Sequence, residues 1–261
     1  MILDTIAAAA KIRIERKKAE VPFAKVEKAA LSMNAATGFP FEKALCKLDI
    51  SFICEVKKAS PSKGVIVADF PYLQIAREYE AAGADALSVL TEPEYFLGCD
   101  DYLVQIKNAV SVPVLRKDFI VDSYQIYEAK ALGASAVLLI CTLMDRKTIR
   151  KYHAICDELG LSALVEAHDE REIESALAAK ARVIGVNNRN LQDFTVDIGN
   201  SIRLRSQVPD DILFVAESGI KTAADIEMLR QAKVNGVLIG ETLMRSPDKR
   251  EMLAELRGTA P

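Results

Sequence analysis

The chain has 261 residues, 50% of them hydrophobic and 27% charged, with a formal net charge of -3. This is the balance of an ordinary globular protein, long enough to bury about three quarters of its unfolded surface within one α/β barrel. The near-neutral charge argues against a nucleic-acid partner, and five scattered cysteines without a CxxC, beside only two histidines, argue against a disulfide frame or a zinc site.

The chain opens with MILDTIAAAA, which is apolar but lacks a basic n-region and runs on into charged helix rather than a cleavage site. It is not a signal peptide. No later run reaches the roughly 18 apolar residues of a membrane span, so the expected location is the cytoplasm. The basic stretch KIRIERKK, Lys11 to Lys18, is interrupted by Ile12 and Ile14 and preceded by Asp4, and reads as a solvated helix face rather than a polyanion site. Residues 1–48 read as one or two extra helices plus a loop around TGFPF, a helical extension covering the mouth of the domain that follows.

Over residues 49–261 short apolar or β-branched runs alternate with Ala-, Glu-, Lys- and Leu-rich segments of helical period. The runs are SFICEV, ADALSVL, VPVLRK, ASAVLLI, LSALVEA, RVIGVN, DILFVAE and NGVLIG. Eight such units predict an α/β fold of the closed (β/α)8 TIM-barrel type. An open doubly wound sheet competes, but it gathers its polar residues at one switch point rather than at many strand ends. AAGAD and LGASA place Gly83 and Gly133 between a helix and the next strand. Lys180 holds that place in AAKAR, so this helix is expected to end without a left-handed glycine.

Polar residues break the apolar pattern at the strand ends. Glu55 and Lys57 share parity with Ile53 on the first strand, Lys117 ends the third, Glu166 the fifth, Asn187 and Arg189 share parity on the sixth, and Glu217 and Ser218 end the seventh. A single charge at a strand end is ordinary solvation. Five strands ending this way on one side of a barrel whose outside is covered by helices describe a catalytic mouth. In AESGI and LIGETLM, Gly219 and Gly240 leave backbone N–H groups open beside a helix start, a phosphate cradle or else two tight turns. Ser60 of SPSKG and Arg189 add a hydroxyl and a guanidinium.

Cations facing carboxylates around an apolar mouth suit an anionic substrate and proton transfer. Lys57 and Lys117 are expected to lower each other's pKa, and Glu166, at an apolar strand end, to be raised. His168 and His153 are set aside as bases: His168 precedes Asp169, which reads as a helix cap, and has a supporting role, while His153 reads as a surface residue of a helix. No Ser-His-Asp order or Gly-x-Ser-x-Gly elbow supports an acyl-transfer hydrolase.

The ordered set CEVKKASPSKG, LTEPEYF, VPVLRKDFIVDSYQIYEAKALGASAVLLI, LVEAHDE, IGVNNRNLQDF, AESGI and VLIGETLM resembles the indole-3-glycerol-phosphate synthases of tryptophan biosynthesis, nearly end to end. The resemblance implies a carboxy-lyase that needs neither cofactor nor metal. It would close the ring of 1-(2-carboxyphenylamino)-1-deoxyribulose 5-phosphate, release CO2 and eliminate water. By position, Lys117 would be the general acid of ring closure and Glu166 the general base. Lys57 would hold the substrate carboxylate and donate the proton for dehydration, the division of labour between the two lysines staying open. Glu55, Asn187 and Glu217 would orient them. Ser60, Arg189, Ser218, Gly219 and Gly240 would bind phosphate, and Phe96, Phe119, Leu138, Ile140, Leu191 and Leu238 would wall the ring pocket, each also readable as plain core. Glu241 departs from members with a small residue after the glycine.

Two other functions compete. Phosphoribosylanthranilate isomerase also grips phosphate through its last two strands, but works with a cysteine and an aspartate where this chain has Glu55, Lys57 and Glu166. A silent sugar-phosphate-binding barrel would not need every polar position filled. The expected partner is a phosphorylated small molecule, with no nucleic acid and no membrane, and a monomer open to weak association with neighbouring pathway enzymes.

Overall fold

The computed structural model describes residues 2–190 and 193–259. Three helices come first: α1 (Ile2–Glu20), α2 (Phe23–Leu31) and α3 (Pro40–Leu45). There follow β1 (Ser51–Val56), a small antiparallel hairpin of β2 (Ala59–Ser60) and β3 (Gly64–Val65), α4 (Tyr72–Ala81), β4 (Ala86–Leu90), α5 (Asp100–Ala109), β5 (Val114–Lys117), α6 (Tyr124–Ala131) and β6 (Ala136–Ile140). A 3-10 turn at Cys141–Leu143 leads to α7 (Arg146–Leu159), β7 (Ser162–Ala167), α8 (Glu170–Ala178), β8 (Val183–Asn187), α9 (Gly199–Arg205), β9 (Leu213–Glu217), α10 (Ala223–Gln231), β10 (Gly236–Ile239), α11 (Glu241–Arg245) and α12 (Lys249–Arg257).

Eight parallel strands close on themselves, β1 pairing with β4 on one side and, from Ser51↔Gly236, with β10 on the other. Each of the eight apolar runs supplies one. Their near-continuous hydrophobicity follows from burial on both faces. One parity points inward: Ile53, Leu115, Leu138, Leu164, Val183, Val215 and Leu238 fill the barrel. The other points outward beneath the helices, as with Phe52, Cys54, Leu87, Val137, Ile184 and Phe214.

The extension differs from expectation in three ways. It holds three helices, because Pro40 inside TGFPF starts α3 at the position where a missing N–H costs nothing. It also serves more than the mouth. Leu3 of α1 joins the inner cluster, but so do Phe41 and Leu45 of α3, whose Leu45 packs against Gly236 at the start of β10, the opposite end of the barrel. Between them α2 lies along α6, with the Phe23 and Tyr127 rings edge to face at 5.3 Å. Finally, the basic stretch is not simply a solvated face. Arg13 reaches Asp118 at 2.6 Å and Glu92 at 3.3 Å, Lys17 reaches Asp100 at 2.5 Å and Glu128 at 2.6 Å, and Lys18 reaches Asp122 at 2.8 Å, so one side of α1 is bolted to the rim while Lys11 and Arg16 stay exposed.

Lys180 does replace a glycine, yet the helix still ends in the left-handed conformation. Lys180 adopts φ 65°, as Lys233 adopts 59° two units later, where Gly83 and Gly133 have 89° and 87°.

Candidate active site

Strand register explains why the polar side chains meet. Leu90 pairs with Lys117, Glu166 with Gly185, Asn187 with Glu217, and Glu217 with Leu238, so residues distant in sequence stand at one level near the C-terminal strand ends. There a cavity of about 910 Å³ opens. Glu55, Lys57, Lys117, Glu166, Asn187 and Glu217 line it, together with Ser60, Arg189, Ser218, Gly219 and Gly240. Of the apolar candidates, Phe96, Phe119, Leu138 and Leu238 reach the wall. Ile140 instead stays in the packed inner cluster, and Leu191 falls outside the described residues.

The lysines are held by carboxylates. Lys57 is hydrogen-bonded to Glu55, while the Lys117 ammonium stands 3.2 Å from Glu217 Oε2 and 3.6 Å from Glu55 Oε1. Burial opposes the charge on Lys117, but Glu217, Glu55 and Glu166 outweigh it and hold the ammonium above its ordinary range. This reverses the expected lowering by a neighbouring cation. Acids, not Lys57, dominate its surroundings, so Lys117 is charged at neutral pH and able to donate. Burial works against ionisation of Glu55 too, yet Lys57 and Lys117 together hold its carboxyl below the usual range. Glu217 goes the other way: burial, with the like charges of Glu166 and Glu55, exceeds the pull of Lys117 and pushes it up to about 7.

Missing side chains make room for this crowd. A Cβ on Gly185 would come 2.4 Å from Glu217 Oε1, and one on Gly240 would come 2.3 Å from Glu55 Oε2 and 2.8 Å from Lys57 Nζ. Gly185 escaped the sequence reading, although a glycine inside the run RVIGVN is the signal for such a close approach.

At the far side of the cavity the backbone bends. Ser218 and Gly219, both lining the cavity, take left-handed φ of 68° and 85° in succession, an arrangement rare for serine. Arg189 lies across from them, its amide accepted by Asn187 Oδ1 at 3.0 Å and its Nη1 donating to the Phe194 carbonyl at 3.2 Å. The β2–β3 hairpin brings Ser60 and Lys63 over the rim, where Glu241 pairs with Lys63 at 3.6 Å and with Arg245 at 3.1 Å. Lys63, Arg245 and the α1 residues Ile2, Leu3 and Ile6 line the cavity without having been singled out in the sequence. The i, i+4 spacing of Ile2 and Ile6 carried that signal.

The histidines separate. His168 Nε2 stands 3.4 Å from Glu166, and Asp169 caps α8 as expected. His153 is buried rather than on the surface, packed in α7 with Nδ1 3.4 Å from Asp157, and lies outside the cavity; burial lowers its pKa. Among the described residues no group of three or more His, Cys, Asp or Glu side chains is placed to hold a metal ion, and no helix is long and apolar enough to cross a membrane.

One cavity thus gathers the cations Lys57, Lys117 and Arg189, carboxylates beside the two lysines, a left-handed turn at Ser218 and Gly219, and apolar walls. That suits an anionic molecule with an apolar body. The family model described as indole-3-glycerol phosphate synthase matches residues 3–256. Proteins named indole-3-glycerol phosphate synthase are similar along their whole length: that of Ruminiclostridium cellulolyticum is 60% identical over 260 residues, covering 100% of both chains, and that of Endomicrobium trichonymphae is 55% identical, covering 98% of this chain and 100% of its own. Among solved structures, a 3-hexulose-6-phosphate synthase superposes with a TM-score of 0.65 at 14% identity, covering 81% of this chain and 100% of its own, which speaks to the barrel alone.

Proposed function

The chain belongs to the indole-3-glycerol phosphate synthase family, the carboxy-lyases of tryptophan biosynthesis, and on that premise we propose how its residues divide the work. Arg189, Ser60 and the amides around Ser218, Gly219 and Gly240 hold the substrate phosphate. Lys57 holds the benzoate carboxylate, with Phe96, Phe119, Leu138 and Leu238 against the ring. Lys117 protonates the ketone oxygen as the ring carbon bearing the carboxylate attacks, and loss of CO2 restores the aromatic ring. Glu166 then takes a proton from the methylene carbon beside the nitrogen while Lys57 protonates the departing hydroxyl, which leaves as water. Glu55, Asn187 and Glu217 keep the two ammonium groups apart and oriented.

The observation that carries this reading is Lys117 itself, a half-buried ammonium held between Glu217 and Glu55 at the mouth and kept protonated by them. Its test is indole fluorescence on adding 1-(2-carboxyphenylamino)-1-deoxyribulose 5-phosphate to the purified protein. The signal rises with the native chain. In Lys117→Ala it falls by at least about a hundredfold while the circular dichroism spectrum is kept, because a proton donor rather than core packing is removed. Near-native turnover in that variant sinks the assignment.

A further inference from the structure

Three carboxylates share the mouth, and the reaction requires that Glu166 in particular begin each cycle ionised. The surroundings of His168 bear on this choice. Its Nε2 lies 3.4 Å from Glu166 Oε1, is shielded from solvent and makes no aligned hydrogen bond. Its Nδ1 lies 3.0 Å from Glu172 Oε2, on the first turn of α8. Glu172 is fixed in turn: its Oε2 accepts from the His168 amide at 2.8 Å and its Oε1 from Thr142 Oγ1, in the 3-10 turn, at 2.6 Å. Asn200 of α9 donates its Nδ2 to the His168 carbonyl at 3.2 Å, so the backbone is pinned as well.

We propose that His168, clamped by Glu172, is the positioning residue that makes Glu166 the ionised base among the three carboxylates. The inference rests on the assignment of Glu166 as the base. Lys117 and Lys57 serve Glu217 and Glu55, and the imidazolium lies on the side of Glu166. Burial opposes a charge on the ring, but Glu172, Glu166 and, at longer range, Glu217 prevail and raise its pKa. Glu172 is held below its ordinary range, burial notwithstanding, by His168 and Thr142. These carboxylates favour the protonated ring, which is anchored at one nitrogen and turned toward the base at the other. The carboxylates thus differ in their neighbours: Glu217 keeps a proton up to about pH 7, and Glu166 has the His168 ring 3.4 Å away.

The reaction adds a chemical reason. With the substrate carboxylate ionised, one proton is consumed in forming the indole product, CO2 and water. Two oxygens are protonated, the ketone and then the leaving hydroxyl, against one carbon deprotonated. A base that stayed protonated would stop the next turnover.

The experiment compares pH profiles of kcat and kcat/KM for the full chain and for His168→Gln, Glu172→Gln and Glu166→Gln. Removing the ring takes away the group 3.4 Å from Glu166 that favours its ionised form. In His168→Gln the acid limb moves up by about one unit and kcat below it falls about tenfold, with KM within about twofold. Glu172→Gln keeps the ring but loosens its clamp, and shifts the limb the same way by less. A limb and kcat unchanged in both variants, while Glu166→Gln is inactive, overturns the role of His168 and spares that of Glu166. Turnover surviving in Glu166→Gln removes the base assignment, and the role of His168 with it. A His168→Gln variant that fails to fold leaves Glu172→Gln to decide.

Discussion

Glu217 is buried at the end of β9 with a pKa near 7 against an ordinary value of 4.5, and that difference is a statement about stability. The folded state keeps a proton that the unfolded chain releases, so this contribution weakens as pH rises through the window from 4.5 to about 7. Urea midpoints at pH 5 and pH 7.5 test it. The midpoint of the native chain should fall more between the two than that of Glu217→Gln, and His168, whose raised pKa acts in the same direction, is common to both. Much of the mouth was legible residue by residue, because Glu55 with Lys57 and Asn187 with Arg189 obey strand parity, and a charge on an otherwise apolar strand has few places to go. What escaped depended on three-dimensional neighbours. Gly185 matters through a carboxylate 32 residues away in the chain, which no local pattern carries. His153 was misplaced because its burial is decided by α3 and Arg182 packing nearby, not by its own helix. The expected cation pair failed for the same reason: parity shows which lysines face inward but not how many acids accompany them.

The two ends of the chain's rhythm were legible at different grades. Eight strands were clear since each is buried on both faces and bounded by helix, whereas α3 has only six residues, too few to display a period of 3.6. In α1 the period was visible but its partners were not. Arg13 and Lys17, four apart, share a helix face, and the acids they meet come from the loop after β4, from α5, from the end of β5 and from α6. The acids are themselves joined through Arg116, which is 2% exposed and reaches Asp100 at 2.8 Å and Glu128 at 2.7 Å. Glu92 also accepts from the amides of Tyr95 and Phe96, so Arg13 touches a carboxylate that shapes the cavity wall at Phe96. Removing the bolts should therefore be felt in substrate binding. Arg13→Ala with Lys17→Ala should raise KM several-fold and leave the barrel folded, and raising salt should impair the native chain only part of the way, since the partly exposed Lys17 pairs are screened while the Arg13 carboxylates are buried. Hydrogen exchange over residues 2–20 reads the loosening directly; unchanged protection there rules out the docking role.

Across the whole molecule the extension separates the two ends of the barrel by task. Strand C-termini carry the groups proposed to react, and the opposite end carries packing. Phe41, fully buried in α3 beneath the barrel, belongs to the second. Phe41→Ala should cost about 3–5 kcal/mol of stability in a denaturant titration. Its kcat and KM at 25 °C should stay close to native; a large loss of kcat would mean that the plug reaches the mouth after all.

That plug has a consequence for the growing chain. Leu45 rests on Gly236, and β1 finds its second neighbour only in β10, so neither contact can exist until nearly the last strand has been made. At about 5–20 residues per second, the roughly two hundred residues between them take about 10–40 s to synthesise. For that time α3 waits with Leu45 lacking its partner on β10, and it is in this interval, rather than in the finished fold, that the plug offers a chaperone an apolar target.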